Sequence, residues 1–330
     1  MGKNKTQKAV RGFAGALAVL TSLFALPAQA DDYPSRPIRL IVPFAAGGPA
    51  DLIARTIAPA MSDILKQPVV LENRAGGGGA TGVDAVAKSA PDGYTIGITG
   101  PGAFVSIPFM IKTPYDPLKD LAPIARVAQV NAVIVVAANS PYKTLKDLVS
   151  AAKAAPPGKI SFGSAGAGTS THLAGELLNM EAGIKLVHVP YRGAVPAATD
   201  LMGGHIETML PDLPGVIALM RAGSIRALAI TSAKQSTVIP DVPTTAEAGY
   251  PNVLSDSWYG LIAPAGISAD IKAKLYAVAA EAMKAPAFLE QMKTQAAAAA
   301  PLNPQEFTQM IAAEQERWKR VIEVTGAKME

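Results

Sequence analysis

Short apolar segments alternate with amphipathic segments through most of the chain, and this alternation restricts the possible folds more than any other feature. Residues 39–43 (RLIVP) and 132–138 (AVIVVAA) are typical of buried strands, whereas residues 49–65 have the apolar spacing of a helix. Strands that are apolar on both faces are buried most readily in parallel sheets covered by helices on both sides. The sequence therefore predicts an α/β protein built on parallel sheets.

The C-terminal region departs from this alternation. From Ala269 onward the sequence is mostly typical of helix. The alanine run at residues 296–300 fits the same interpretation, because alanine is the strongest helix former. We expect this run to be helical and to lie near a surface turn.

The first thirty residues have the layout of a secretory signal peptide. Four basic residues lie among the first eleven, residues 13–26 are almost wholly apolar, and residues 28–30 (AQA) form a small-x-small cleavage site. The apolar run is shorter than the roughly 20 residues that a membrane-spanning helix needs. We therefore expect cleavage near Ala30 and a mature protein located in the periplasm.

Charge and cysteine content narrow the class of protein. The chain has 30 Lys and Arg residues against 26 Asp and Glu residues, and the expected signal peptide holds four of the basic residues and no acidic one. Residues 31–330 are therefore neutral overall, which argues against a nucleic-acid partner, because such proteins carry a basic domain or stripe. Cysteine is absent, so disulfides and thiolate metal sites are excluded. We expect no cofactor.

The first candidate binding segment is the loop at residues 43–51 (PFAAGGPAD), which follows a strand and opens a helix. Small residues at positions 45–48 let a ligand approach the backbone, and Pro49 suits the first helical position. The free N–H groups of a helix N-terminus favour an anion. A tight turn in which Asp51 only complements the helix dipole explains the same residues. If Asp51 does bind ligand, its partner is an ammonium group or a bridging water.

The second candidate segment is the loop at residues 163–172 (GSAGAGTSTH), which also lies between a strand and a helix. Hydroxyl side chains alternate with glycines there, so side-chain and backbone donors can converge on a ligand. Helix capping by Ser170 or Thr171 is the simpler alternative for one of them, and His172 taken alone is more typical of a packed or capping residue. Neither loop has the lysine of a GxxxxGKS/T phosphate loop or the GxGxxG spacing, so nucleotide binding is not expected.

Short motifs spread over residues 31–330 occur in a fixed order. They are YPSRPIRLIVPF at 33–44 followed by Gly47, Gly48 and Asp51, ENRAG at 72–76, PDGYT at 91–95, YDPLKD at 115–120, GAGTSTHLAGE at 166–176, HVPYRG at 188–193, DLMGGHI at 200–206 and PDVPT at 240–244. Together they resemble the Bug-type extracytoplasmic solute receptors of tripartite tricarboxylate transporters, over essentially the whole of this region. The chain departs from the family at Pro211, where members more often have an aromatic residue.

The resemblance implies a type II periplasmic-binding-protein fold, in which two α/β lobes are joined by a two-strand hinge and the ligand lies in the cleft. Lobe 1 is expected to comprise residues 31–131 and 231–330, and lobe 2 residues 132–230, with crossings near residues 130–134 and 227–232. The implied function is to capture a small organic carboxylate and deliver it to the integral-membrane permease subunits of a tripartite tricarboxylate-type transporter, or to a sensor protein. We expect a monomer. Citrate-like, dicarboxylic, amino-acid and aromatic carboxylates all remain open as ligands.

The same resemblance implies a ligand site made by one loop from each lobe. The residues expected to contact the ligand are Ala46, Gly47, Gly48, Asp51, Ser164, Gly168, Thr169, Ser170, Thr171, His172, Arg192 and Asp212. We expect the carboxylate to touch the amides of Gly47 and Gly48 and donors from residues 169–171. Arg192 has two interpretations, since it either pairs with a second carboxylate or is a solvated surface residue. The aromatic residues best suited to line the pocket are Phe44, Phe104, Trp258 and Tyr259.

Two alternatives to a carboxylate receptor find little support in the sequence. An enzyme is the first, because S-x-x-K occurs at residues 140–143 and 150–153, but the KTG and SDN elements of penicillin-interacting enzymes are absent, as are G-x-S-x-G and H-E-x-x-H. We therefore expect no catalytic residue. A metal-binding receptor is the second, since Asp51, His172 and Asp212 could meet in the cleft, but these ligands are too few and we predict no metal site.

Overall fold

The computed structural model describes residues 33–156 and 158–329. The expected signal peptide, residues 1–30, lies outside the described residues. Residues 36–329 form two β-sheets with helices packed around them. No helix among the described residues combines the length and the apolar character that crossing a bilayer requires.

The strands follow the apolar segments of the sequence, with two long additions. They are β1 (Ile38–Val42), β2 (Val69–Asn73), β3 (Thr95–Thr99), β4 (Leu121–Asn131), β5 (Val133–Ala137), β6 (Ser161–Ser164), β7 (Val187–Pro190), β8 (Thr208–Met209), β9 (Ile225–Ile230), β10 (Asp256–Pro264) and β11 (Ala297–Leu302). The long strands β4 and β10 were not predicted. Pro123, Arg126 and Gln129 interrupt the apolar pattern of β4, so its periodicity does not identify it as a strand.

The helices lie between the strands and at the C-terminus. They are α1 (Pro49–Leu65), α2 (Ala80–Ala87), α3 (Ile107–Met110), α4 (Leu145–Ala154), α5 (Ser170–Ala182), α6 (Ala194–Met202), α7 (Ile217–Arg221), α8 (Ala269–Ala282), α9 (Pro286–Thr294) and α10 (Pro304–Thr325). Shorter helical turns occupy Gly77–Gly79, Gly102–Ser106 and Leu213–Gly215. The bounds of α1 are those expected from the sequence.

The two sheets are mixed, which corrects the expectation of parallel sheets. The first has the order β11-β4-β10-β3-β1-β2, and β10 runs antiparallel to both β4 and β3. The second has the order β7-β6-β8-β5-β9, and β5 runs antiparallel to both β8 and β9. Only the groups β1 to β3 and β6 to β8 are parallel. Apolar periodicity reports burial and does not report strand direction, so the sequence could not distinguish the two cases.

The second sheet is buried on both faces, as expected. Alternate residues of β5 point into different cores: Ile134 and Val136 pack with Phe162, whereas Val133 and Val135 pack with the helices α6 and α7 on the other face. Each of these side chains is fully buried. Burial of a Val or Ile side chain contributes roughly 1.5–3 kcal/mol, so this one strand stabilises both layers.

The alanine run is a strand and not a helix. β11 pairs with β4 in antiparallel register, with Ala297 opposite Val130 and Ala299 opposite Ala128. The helical preference of alanine is below about 1 kcal/mol per residue, so pairing with an exposed sheet edge overrides it. Pro301 is compatible with β11 because this strand lies at the edge of its sheet.

The chain passes between the two sheets at two places. β4 ends at Asn131 in the first sheet, and β5 begins at Val133 in the second. On the return, residues 231–255 stay packed on the second sheet, because Val253 lies in its core and Ser255 N donates to Thr231 O. The return to the first sheet therefore lies at Ser255 and the start of β10, later than the expected crossing near residues 227–232.

Candidate functional site

A cavity opens between loops that belong to both sheets. Its wall contains the starts of α1, α5 and α6, together with Asp212 and Tyr259. Each of these helices follows the carboxyl end of a strand, which is where ligands bind in open α/β sheets. The cavity therefore occupies the position at which the predicted site residues should meet.

The first helix start is that of α1. Gly48 is the N-cap, Pro49 is the first helical residue, and no side chain caps the helix. Pro49 has no N–H, and Leu52 N donates to Gly48 O at 3.0 Å. The N–H groups of Ala50 and Asp51 are therefore the first-turn donors that lack an intrahelical partner. Together with the positive end of the helix dipole, they favour an anion at this corner of the cavity.

Asp51 positions this loop and does not line the cavity. Its Oδ2 atom accepts from Gly47 N at 2.9 Å and from Arg55 Nε at 2.8 Å, and its Oδ1 atom accepts from Asn73 Nδ2 at 2.9 Å. Burial raises the pKa of Asp51, but these hydrogen bonds outweigh burial and hold the pKa below its usual value. Both carboxylate oxygens are thus engaged within the protein, and they hold Gly47 in a left-handed conformation (φ +84°).

The second helix start is that of α5, where hydroxyl groups organise the backbone. Thr169 is the N-cap, and its Oγ1 atom accepts from His172 N at 3.4 Å and donates to Gly166 O at 2.7 Å. Thr171 Oγ1 accepts from Ala165 N at 2.9 Å. Thr169 and Thr171 also line the cavity, so this loop forms part of the cavity wall.

The third helix start is that of α6, which follows the segment at residues 191–193 that the family resemblance places at the edge of the cleft. Gly193 is the N-cap with φ +125°, and no side chain caps the helix. Ala194, Val195 and Pro196 line the cavity. The signal was present in the sequence, because β7, Gly193 and α6 repeat the order of strand, glycine and helix found in the other two loops.

Arg192 lies in the wall of the cavity with its side chain exposed. It forms no hydrogen bond or ion pair with any other residue that the structure describes. A guanidinium group without a protein partner is well suited to bidentate pairing with a carboxylate. Its position supports the first of the two interpretations that the sequence left open.

Asp212 is a carboxylate in this otherwise donor-rich wall, and only 3 % of it is exposed. The Tyr259 hydroxyl, from β10 of the other sheet, donates to Asp212 Oδ2 at 2.6 Å. Asp212 Oδ1 is buried and has no hydrogen-bond partner in the described part of the chain. Burial raises the pKa of Asp212 to about 6, and the hydroxyls of Tyr259 and Ser257 limit the rise.

A histidine cluster lies behind the α5 loop. Ser164 Oγ accepts from Gly166 N at 3.1 Å and lies 2.6 Å from His188 Nε2, and His172 Nδ1 accepts from Gly168 N at 3.1 Å. Burial, reinforced by the neighbouring His172, lowers the pKa of His188 to about 3. These contacts fix the backbone of the loop from the side that faces away from the cavity.

The structure brings most of the predicted site residues together. Those that line the cavity are Ala46, Gly48, Thr169, Ser170, Thr171, Arg192 and Asp212. Those outside the lining, in the supporting contacts described above, are Gly47, Asp51, Ser164, Gly168 and His172. Of the aromatic residues expected in the wall, Phe44 and Tyr259 line the cavity, whereas Phe104 and Trp258 are buried in the core.

The possible metal ligands do not converge in this cavity. Asp51 and His172 point their polar atoms into the supporting loops, and only Asp212 of the three lines the cavity. Over residues 33–156 and 158–329, no group of three or more His, Asp or Glu side chains is arranged to hold a metal ion. The chemistry that the wall offers is that of hydrogen-bond donors and positive charge.

Comparison with known proteins places these features in a family. Residues 53–327 match the family model of the tripartite tricarboxylate transporter family receptor. The chain is 39% identical to protein BugT of Bordetella pertussis over 313 residues, which cover 94% of this chain and 96% of BugT.

Solved structures are similar over most of the chain. Periplasmic binding protein BugD is 33% identical (TM-score 0.85, covering 90% of this chain and 100% of that one). R. palustris Rpa4515 with adipate is 32% identical (TM-score 0.86, 91% and 100%), and MatC from Rhodopseudomonas palustris with bound malate is 30% identical (TM-score 0.83, 88% and 100%). The type II periplasmic-binding-protein fold expected from the sequence is thereby confirmed.

Proposed function

Because the chain belongs to the tripartite tricarboxylate transporter receptor family, we propose that it captures a small organic carboxylate in the cavity described above and delivers it to a membrane permease. The family consists of solute-binding receptors, so the chain is a receptor and not an enzyme. The proposal concerns the chemical class of the ligand, the groups that hold it and the protein that receives it.

The observation that carries the proposal is the convergence of three helix N-termini on one cavity. α1, α5 and α6 all begin in its wall. Each helix start offers N–H donors and about half a unit of positive charge, and Arg192 adds a full charge. Such an arrangement stabilises an anion, and a carboxylate satisfies several donors at once.

We place the ligand carboxylate between the starts of α1 and α5. Gly48 lines the cavity with an ordinary backbone conformation (φ −80°), so the lack of a side chain serves close approach of the ligand. The Gly47 amide, which we expected to touch the ligand, already donates to Asp51 Oδ2. The proposal therefore assigns the contact in the first loop to Gly48 and the first turn of α1.

The remaining wall suits the carbon skeleton of a small acid. Phe44, Pro49, Val195 and Pro196 supply apolar surface around the donors. The solved structures of the similar proteins Rpa4515 and MatC are complexes with adipate and malate, both small diacids, and this supports the same class of ligand here.

We further propose that the two lobes close on the ligand about the two chain crossings. Residues 231–255 pack on the sheet of lobe 2, so we propose that they move with lobe 2. The other lobe bounds are those expected from the sequence. The Thr231 hydroxyl lies 3.0 Å from Ala132 O and 3.1 Å from Ser255 O, so it ties both crossings together at one point. These two contacts allow the lobes to rotate while the two chain crossings stay aligned.

The destination of the ligand follows from the family and from the N-terminus. We propose that residues 1–30 direct export, that cleavage occurs near Ala30, and that the mature monomer meets the permease subunits in the periplasm. A sensor protein as the recipient is the alternative outcome, and cross-linking of the loaded receptor in its native membrane distinguishes the two.

The test is a calorimetric and thermal-shift screen of residues 31–330 against mono-, di- and tricarboxylates, amino acids and aromatic acids. A ligand that binds only the folded state raises the melting temperature by mass action, and the shift grows with ligand concentration. We expect a saturable shift from one class of carboxylate. Absence of any shift for a folded, ligand-free preparation would contradict the proposal.

A charge variant with a matched control tests the location of the site. Arg192→Gln removes the guanidinium group from the cavity wall, and Arg320→Gln removes an exposed one from α10, outside the lining. We expect a loss of affinity of about tenfold or more for the first variant, because a charge-assisted bond is lost, and no change for the second. Equal effects of the two variants would place the site elsewhere.

A further inference from the structure

We propose that Asp212 selects ligands that carry a hydrogen-bond donor, a hydroxyl or an ammonium group, in addition to their carboxylate. The inference rests on the proposed function, since it concerns the same cavity. It narrows the ligand class from small carboxylates in general to hydroxy acids and amino acids.

One carboxylate oxygen of Asp212 has no hydrogen-bond partner among the described residues. Tyr259 occupies Oδ2 at 2.6 Å, and Oδ1 has no partner although it is buried. Buried polar atoms in native proteins almost always have a hydrogen-bond partner, and a carboxylate oxygen without one is costly. Because Asp212 lines the cavity, a ligand placed there is able to supply the missing donor.

Backbone contacts within the protein hold Asp212 in place. Its carbonyl accepts from Gly215 N at 3.0 Å, and its backbone forms a bridge with Ala132 at the start of β5. The Ser257 hydroxyl lies close enough to Asp212 to favour its charged form, and it also lies 3.5 Å from the Ser170 hydroxyl. The carboxylate is therefore fixed in the wall of the cavity, with Oδ1 buried and without a hydrogen-bond partner among the described residues.

Positive and negative groups lie at different parts of the cavity wall. Arg192 and the helix starts attract a carboxylate, whereas Asp212 repels one and accepts a proton donor. A ligand satisfies both parts of the wall when its carboxylate lies at the helix starts and a hydroxyl or ammonium group lies at Asp212. An acid without such a group leaves Oδ1 unsatisfied in the complex.

Matched acids test the inference without any change to the protein. We would titrate residues 31–330 with three series: propionate, lactate and alanine; succinate, malate and aspartate; glutarate, 2-hydroxyglutarate and glutamate. For the carbon skeleton that binds best, we expect the donor-bearing acid to bind at least about tenfold more tightly than the unsubstituted acid. The order of hydroxyl and ammonium within that series identifies which donor Asp212 takes.

Two variants assign the selectivity to Asp212. In Asp212→Asn the amide oxygen accepts from Tyr259, which places the NH₂ group where Oδ1 lies, so the preference for the donor-bearing acid should vanish or reverse. Tyr259→Phe is the control, because it removes the donor to Oδ2 and should weaken all acids while leaving their order unchanged. An unchanged order in folded Asp212→Asn would overturn the assignment.

The outcomes separate this inference from the proposed function. If no acid binds, the proposed function fails. If unsubstituted acids bind as tightly as their hydroxy and amino counterparts, the receptor function stands and the inference is wrong, because water then satisfies Oδ1. Since this comparison uses the unaltered chain, it remains decisive even if the Asp212 variant does not fold.

Discussion

The imidazole rings of His172 and His188 stack with their centroids 3.7 Å apart and their planes 13° apart. The two residues lie on different elements, α5 and β7, and Phe162 of β6 completes the aromatic cluster. His188 contacts Ser164, and His172 holds Gly168, so the stack supports the α5 loop from behind. The integrity of the α5 loop is thereby linked to the half-buried His188, which is neutral at physiological pH.

We predict that His188 makes the protein less stable in acid. Its pKa falls from the usual 6.5 to about 3 on folding, because burial penalises the charged ring and His172 lies beside it. The unfolded chain therefore binds more protons between pH 3 and 6.5, so the free energy of unfolding must decrease as pH falls through this window. Between pH 7 and pH 4 the loss is on the order of 3 kcal/mol, measurable by urea unfolding.

The variant His188→Gln isolates this contribution. Glutamine cannot titrate, and its carbonyl oxygen can accept from Ser164, so the difference in stability between parent and variant should shrink as pH falls. His205→Gln, at an exposed position, is the control and should show no such trend. A pH-independent difference for His188→Gln would exclude a neutral His188 as the cause.

We predict that Asp212→Asn stabilises the protein in the absence of ligand. Burial raises the pKa of Asp212 to about 6, so its ionised form is destabilising at pH 8 by roughly 2–3 kcal/mol. For a group whose pKa is raised on folding, this penalty disappears as pH falls through 6 towards 4. The stability gained by the variant should therefore be largest at pH 8 and small at pH 4 in parallel urea titrations. A variant less stable than the parent at pH 8 would show that the protein satisfies the carboxylate internally.

We predict that Asp51→Asn weakens ligand binding although Asp51 lies outside the cavity lining. The substitution turns one acceptor into a donor that faces Gly47 N, Arg55 or Asn73, and it should lower the free energy of unfolding by about 2 kcal/mol. Asp63→Asn, on the exposed face of the same helix, is the matched control. Calorimetry and urea unfolding of both variants should show losses of affinity and stability for Asp51→Asn alone; equal behaviour would remove its positioning role.

We predict that Gly47→Ala lowers affinity through the backbone. Gly47 has φ +84°, which costs an alanine about 1–2 kcal/mol, while its added methyl group would meet no atom closer than 3.9 Å. Gly183→Ala is the control, because Gly183 has φ +63° at the end of α5 and open space around it. Both variants should lose similar stability in urea unfolding, and only Gly47→Ala should lose affinity in calorimetry. Unchanged affinity in Gly47→Ala would mean that the loop tolerates a shift of its backbone.

The local sequence pattern was sufficient to predict the segments of strand, glycine loop and helix whose loops surround the cavity. The order of strand, glycine loop and helix can be recognised around residues 43–51 and 163–172, because helix starts and left-handed glycines depend on neighbouring residues. Gly193 and α6 repeat this order, and there the family resemblance, not the local pattern, placed residues 191–193 at the edge of the cleft. Which side of each loop faces the ligand could not be predicted: Asp51 and Gly48 are three residues apart, and only Gly48 lines the cavity.

The order of residues alone indicated an export signal, the α/β character, and two glycine-rich loops that resemble the binding loops of a receptor family. Only the tertiary structure decided the antiparallel insertion of β10, the pairing of the alanine run with β4, and the approach of Tyr259 to Asp212. These contacts join residues far apart in the chain, and their energy depends on which surfaces meet after folding. Local conformational preferences contribute less than about 1 kcal/mol per residue and do not specify such long-range contacts. Tertiary packing determines them.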